Sequence, residues 1–189
     1  MTEKELHTTL EDNPIIAAVK NEISLYECIK SECKIVFVLY GDINNIGNIV
    51  KVLKENGKTV FVHADLIDGL AGREVSIDFL KNQTETDGII STKIPLIKYA
   101  KQQGLFTVLR FFMIDSRAME NAKHADIKQC ADFIEILPGL MPKIIKQTAK
   151  TTKKPVIAGG LITEKDDVVT ALSGGAVAIS STNEKVWFL

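Results

Sequence analysis

Eight short apolar runs, each separated from the next by an amphipathic or polar stretch, most constrain what this 189-residue chain can fold into. They are 14–19 (PIIAAV), 34–39 (KIVFVL), 59–63 (TVFVH), 88–91 (GIIS), 105–111 (LFTVLRF), 132–136 (DFIEI), 155–158 (PVIA) and 176–180 (AVAIS). Most are continuously apolar and rich in β-branched residues, with no strict alternation. Strands covered on both faces read this way, and parallel sheets require such covering. Seven helical patterns lie between them, at 23–31, 45–55, 75–81, 94–103, 117–123, 142–151 and 164–172. Gly57, Gly104 and the Gly174-Gly175 pair follow helices where a left-handed C-terminal cap belongs. Thr163 and Asp166 resemble a shortened capping box opening the last of these helices.

Eight strands with helical crossovers predict a compact, single-domain (β/α)8 TIM-type barrel spanning residues 1–189. A doubly wound open sheet is the alternative. Nine residues follow Ser180, so the eighth helix is expected to be reduced or absent. The N-terminal extension, residues 1–12, reads as helical, and its 3–10 segment is expected to cover that gap. No linker, low-complexity tract or internal repeat divides the chain.

In such a barrel, ligands bind at the C-terminal ends of the strands. The residues there are Lys20 after the first strand, Gly41 and Asp42 after the second, and His63, Asp65 and Gly69 after the third. Ser91 and Lys93 follow the fourth, Arg110 and Asp115 the fifth, and Glu135 the sixth. Gly159-Gly160 and Ser180-Ser181 end the last two. A rim carrying Lys20, Lys93, Arg110, Asp65, Asp115 and Glu135 suits a small ligand with both an anionic group and hydroxyls. Gly159-Gly160 beside Ser180-Ser181 reads as a phosphate cradle, in which backbone N–H groups approach the anion without a Cβ in the way. Asp65 and Glu135 read as hydroxyl acceptors or as general acid and base. Each reads equally as a partner for Lys93 or Arg110. His63 reads as a ligand contact or as a satisfied core histidine, and Asp115 as a ligand contact or a helix cap.

Composition excludes several function classes. The net charge of −1 rules out a generally basic nucleic-acid binder. One local basic stretch stands out, because no acidic residue falls between Glu135 and Glu164. That interval holds Lys143, Lys146, Lys150, Lys153 and Lys154. The first three fall along one helix face, and the last two extend it at the following turn. Five such lysines are candidates for phosphate contacts to RNA, against the simpler reading of a solvated helix face. Cys28, Cys33 and Cys130 have no CxxC spacing, and with only His7, His63 and His124 beside them no metal site is expected. They read as small buried thiols of a reducing cytosol. No apolar run approaches a membrane span, and the polar N-terminus reads as neither a secretory signal nor a transit peptide.

The segments NPIIAAVK (13–20), FVHADLIDGL (61–70), DGIISTK (87–93), LRFFMIDS (109–116), EILPGLMPKII (135–145), PVIAGGLI (155–162) and GAVAISS (175–181) resemble the glycerol uptake operon antiterminator regulatory proteins of Gram-positive bacteria. The resemblance implies a cytoplasmic regulator without catalysis or cofactor, whose effector is glycerol 3-phosphate. It implies action on the leader mRNA of glycerol-utilisation genes, preventing termination and stabilising the message. With that effector, Gly159, Gly160, Ser180 and Ser181 are expected to hold the phosphate. Lys20, Lys93 and Arg110 would supply positive charge, and Asp65 and Glu135 would take the hydroxyls. Loop three (65–73), with Gly69 and Gly72, is the candidate mobile element. A homodimer is left open. An enzyme acting on a small phosphorylated substrate, and a sensor working through a protein partner, are the competing functions.

Overall fold

The computed structural model describes residues 2–122 and 130–189. Eight parallel strands close into one barrel in sequence order. They are β1 (Ile15–Val19), β2 (Ile35–Val38), β3 (Thr59–His63), β4 (Gly88–Ser91), β5 (Phe106–Phe112), β6 (Phe133–Leu137), β7 (Val156–Gly159) and β8 (Ala178–Ser181). β8 pairs back onto β1, with Ile16 opposite Ser180, so no sheet edge remains. This is the TIM-type barrel, and the open doubly wound sheet is excluded.

Among the described residues the α-helices are α1 (Glu3–Asp12), α2 (Glu22–Lys30), α3 (Ile46–Glu55), α4 (Glu74–Gln83), α5 (Ile94–Gln102), α6 (Ser116–Asn121), α7 (Pro142–Thr152) and α8 (Lys165–Ser173). None is long and apolar enough to cross a membrane. The expected 117–123 helix is described only as far as α6. Lys123 and His124 lie outside the described residues. α8 opens one residue later than its sequence pattern suggests, with Glu164 and Asp167, not Thr163 and Asp166, forming the reciprocal cap.

Alternation along each strand sorts the core into two. Outward residues such as Val36, Val38, Val60 and Val62 pack under the helices. Inward residues, among them Ile16, Phe37, Phe61, Ile90, Val108, Phe133 and Ile157, fill the barrel.

The N-terminal helix does not cover the place of a missing eighth helix. Leu6 and Leu10, one turn apart on α1, join the inner cluster, and the His7 ring lies 5.3 Å from that of Phe133. A helix preceding β1 reaches the end of the barrel where strands begin, so α1 plugs that end. A 3-10 turn, Glu184–Phe188, packs instead on β1, β8 and α2. Its Trp187 is buried and donates from Nε1 to the Ser181 carbonyl at 2.7 Å.

Candidate ligand site at the barrel mouth

Inward parity carries His63 on β3, Arg110 on β5, Glu135 on β6, Gly159 on β7 and Ser180 on β8 to the C-terminal end of the barrel. Arg110 and Glu135 are register partners, and so are Gly159 and Ser180. Arg110 donates from Nε to Glu135 Oε2 at 2.6 Å, and Ser180 Oγ donates to Glu135 Oε1 at 2.5 Å. Glu135 is fully buried, and both of its oxygens are engaged. It is therefore a fixed anchor for Arg110 and Ser180, and each of its oxygens, already holding one donor, keeps a lone pair toward the cleft that it lines. Gly159 makes room for this arrangement, since a Cβ there would lie 2.6 Å from both Glu135 Oε1 and Ser180 Oγ.

Above this layer is a cleft of about 270 Å3, bounded by Leu39, Arg110, Leu137 and the turns 160–163 and 180–183. Arg110 reaches it with its outer end uncommitted. Among the described residues, only its Nε has a hydrogen-bond partner. The β7 turn is held by Gly160 at φ +74° and by Leu161 at φ +61°, a left-handed conformation that costs a leucine about 1 kcal/mol or more. The Gly139 N–H donates to the Gly160 carbonyl at 3.1 Å, joining the β6 turn to the β7 turn. Gly160 and Thr182 both border the cleft.

Other parts of the expected cradle are already occupied. Ser181 faces outward, the opposite side from Ser180, and its Oγ donates to the Ile162 carbonyl at 2.7 Å. The α8 N-terminus is closed by Asp167, which accepts from the N–H groups of Thr163 (2.9 Å) and Glu164 (3.2 Å). An anion in the cleft would meet the turn amides and Arg110, and that helix end would contribute little.

The β3–β4 side of the mouth carries the second group of polar side chains. Asp65 accepts from Ser91 Oγ (3.0 Å) and from the Thr92 N–H (2.7 Å) and hydroxyl (3.0 Å), and pairs with Lys93 at 3.5 Å. Burial pushes its carboxyl up, but the Thr92 and Ser91 donors outweigh that and leave it below the ordinary value. Gly72 lets Lys93 lie against loop three, where a Cβ would collide with its Nζ. Loop three is also tied to the β2 turn, through Asp68 N–H to the Gly41 carbonyl (2.9 Å) and Ile43 N–H to the Asp68 carbonyl (3.1 Å). His63 is 2% exposed, and its Nδ1 has no hydrogen-bond partner. Burial, reinforced by the Arg110 guanidinium, pushes its imidazole down to about 3, although Asp65 pulls the other way. His63 is neutral at physiological pH.

Comparison with known proteins identifies the family of this barrel. The family described as "Glycerol-3-phosphate responsive antiterminator" matches residues 15–187, every strand of the barrel. The chain belongs to that family. It is 46% identical over 180 residues to "Uncharacterized protein YgcP" of Escherichia coli (strain K12), covering 95% of this chain and 94% of that one. The solved glycerol uptake operon antiterminator regulatory protein of Listeria monocytogenes is 34% identical, with a TM-score of 0.89 over 93% of this chain and 95% of that one. A glycerol uptake operon antiterminator-related protein from Thermotoga maritima is 36% identical, with a TM-score of 0.81 over 92% and 96%.

In this antiterminator-family barrel the remaining predicted residues do not line the cleft. Lys20 is exposed just past β1. Asp115 is the N-cap of α6, accepting from the Ala118 N–H at 2.8 Å. Lys143, Lys146 and Lys150 are exposed on α7, opposite buried Ile145, Thr148 and Thr152. Lys153 and Lys154 do not extend that face as a helical turn would. α7 ends at Thr152, and Lys153 turns away in a left-handed C-cap at φ +56°. Thr182, Leu161 and Leu137, which border the cleft, are absent from the sequence-based site. Position at a strand end was the signal available for Leu137 and Thr182. Nothing local marks Leu161.

Proposed function

We propose that this chain is a glycerol 3-phosphate-responsive antiterminator that holds its effector in the mouth cleft. In that state it binds the leader mRNA of glycerol-utilisation genes through the lysine face of α7. The observation that carries the effector half is the outer end of Arg110, locked in direction by Glu135 and presented to the cleft, with Gly160 and Thr182 lining the same space. Guanidinium and peptide donors together suit a phosphate. Ser180, whose proton goes to Glu135, has lone pairs that suit a ligand hydroxyl and not a phosphate oxygen.

The RNA half rests on three exposed lysines in a segment free of carboxylates, each able to neutralise a phosphate and release a counterion. Ligand favours the RNA-competent state only in so far as it binds that state more tightly. Glu135 gives binding the advantage over acid–base catalysis, because both its oxygens are held in an ion pair and a hydrogen bond. The protein acts in the cytoplasm, where transcripts are made.

Leader-RNA binding titrated with and without glycerol 3-phosphate tests the reading. The expected result is a gel shift strengthened by ligand and weakened by salt, with the ligand recovered unchanged. Ligand at 100 times its Kd should stabilise the fold by about 2.7 kcal/mol. Turnover of the ligand would overturn the reading in favour of an enzyme. A thermal response with no shift at any salt would favour a sensor acting through a protein.

A further inference from the structure

Among the described residues, His63 Nδ1 is the only buried side-chain nitrogen or oxygen without a hydrogen-bond partner. Leaving such a group unpaired costs about 1–3 kcal/mol, so its neighbourhood calls for an explanation. Asp65 lies beside it, with Oδ2 at 4.0 Å. That distance is too long for a direct hydrogen bond, but it is the span one intervening oxygen covers. An oxygen about 2.8 Å from each atom completes the triangle. It would accept from Nδ1–H and donate to the carboxylate.

The two groups are matched to a hydroxyl and to little else. Asp65 is an ionised acceptor whose Oδ2 takes the Thr92 N–H, the exposed Thr92 hydroxyl and a share of the Ser91 hydroxyl, and a ligand hydroxyl would take the place of the Thr92 hydroxyl there. The carboxylate beside Nδ1 favours the imidazole tautomer with its proton there, which makes Nδ1 a donor. A hydroxyl is both acceptor and donor, and so satisfies both at once. A phosphate oxygen cannot, since it would face the carboxylate with no proton to give. The position also fits the cleft. Leu39, which lines the cleft, follows the register pair Val38–Val62 on the strand beside His63, and inward parity turns His63 and Arg110, another lining residue, into the same barrel mouth.

We propose that His63 and Asp65 form a hydroxyl-reading subsite that makes this mouth specific for polyol phosphates over plain alkyl phosphates. The proposal rests on the phosphate reading of the cleft given above and deepens it. The phosphate sits at Arg110 and the β7–β8 turns, and a ligand hydroxyl bridges Nδ1 and Oδ2. Nδ1 is closed to solvent. Seating a hydroxyl there therefore goes with a small movement of the segment bearing Asp65, at the start of loop three.

The test compares glycerol 3-phosphate with propyl phosphate, the same carbon chain without hydroxyls, by titration calorimetry. The unsubstituted protein is expected to prefer glycerol 3-phosphate about 10- to 100-fold, the worth of satisfying one buried polar group. In His63→Phe that preference should collapse to about threefold or less, with propyl phosphate affinity held within about threefold. His63→Gln, which retains an N–H donor, should recover part of it. Nitrogen-15 spectra of the unsubstituted protein give an answer even if His63→Phe fails to fold. Saturating glycerol 3-phosphate should move the His63 Nδ1 resonance, and saturating propyl phosphate should not. An unmoved Nδ1 resonance, or a full preference kept in His63→Phe, overturns the subsite. Binding of neither compound overturns the phosphate reading beneath it, a different outcome from equal binding of both.

Discussion

Arg110 and Glu135 stand directly opposite each other on β5 and β6, with Arg110 Nε 2.6 Å from Glu135 Oε2, and both side chains are almost wholly withdrawn from water. The pair is the electrostatic centre of the barrel mouth. Removing one member strands the other's charge in a medium that solvates it poorly.

Arg110→Met should accordingly cost about 3–5 kcal/mol of stability and abolish the thermal response to glycerol 3-phosphate. The double variant Arg110→Met with Glu135→Gln should be less destabilised than Arg110→Met alone, because no uncompensated charge remains. Urea midpoints of Arg110→Met, Glu135→Gln and the double variant measure the difference. A double variant at the sum of the two single losses would refute the coupling.

Gly159→Ala tests the space above Glu135. The new methyl would meet Glu135 Oε1 and Ser180 Oγ at 2.6 Å, so one of them must move. About 1–3 kcal/mol of destabilisation is expected, together with weakened effector binding. Thermal melts with and without glycerol 3-phosphate read both effects.

Acid should destabilise the protein at a pH where few buried groups act. The folded-state pKa of His63, at about 3, lies below that of the unfolded chain, near 6.5. Between these values the unfolded state binds the extra proton, so stability present at neutral pH is lost as pH falls below about 6.5. The loss should reach about 1 kcal/mol by pH 5.5. The Asp65 carboxyl, held low in the fold, adds a further loss as pH falls through the ordinary carboxylate range. Urea midpoints at pH 7.5 and 5.5 should differ in the unsubstituted protein and converge in His63→Gln.

Charge reversal at Lys143, Lys146 and Lys150 should abolish the leader-RNA gel shift and spare the thermal response to ligand. Milder Lys→Gln changes at the three sites should lower the slope of log affinity against log salt by about 2–3. An unaltered slope would move the RNA contact away from α7.

Much of this candidate site is legible in the sequence, because a barrel with its strands in sequence order puts their ends in one place. What could not be read depended on register or on partners distant in sequence. Glu135 is visible as a carboxylate at a strand end, but its capture by Arg110 and Ser180 needs neighbours 25 and 45 residues away. Asp65 is similarly taken up by Ser91 and Thr92. The pairing of Ser180 with Ser181 as co-ligands, by contrast, conflicts with a rule available at the outset, since adjacent strand residues face opposite sides. α1 shows the limit of amphipathic patterning. Leu6 and Leu10 mark a buried stripe without saying which surface buries it, and only the closed barrel supplies the open end they fill. At Lys153 the charge pattern runs on past Thr152 while the backbone does not.

The Gly139–Gly160 hydrogen bond has a mechanical consequence. It fastens the ceiling of the cleft to a point three residues ahead of Pro142, where the lysine-bearing helix begins. Gly139 is packed so tightly there that a Cβ would come within 3.0 Å of the Gly159 nitrogen. A single peptide hydrogen bond thus ties the turn that borders the cleft to the segment leading into α7.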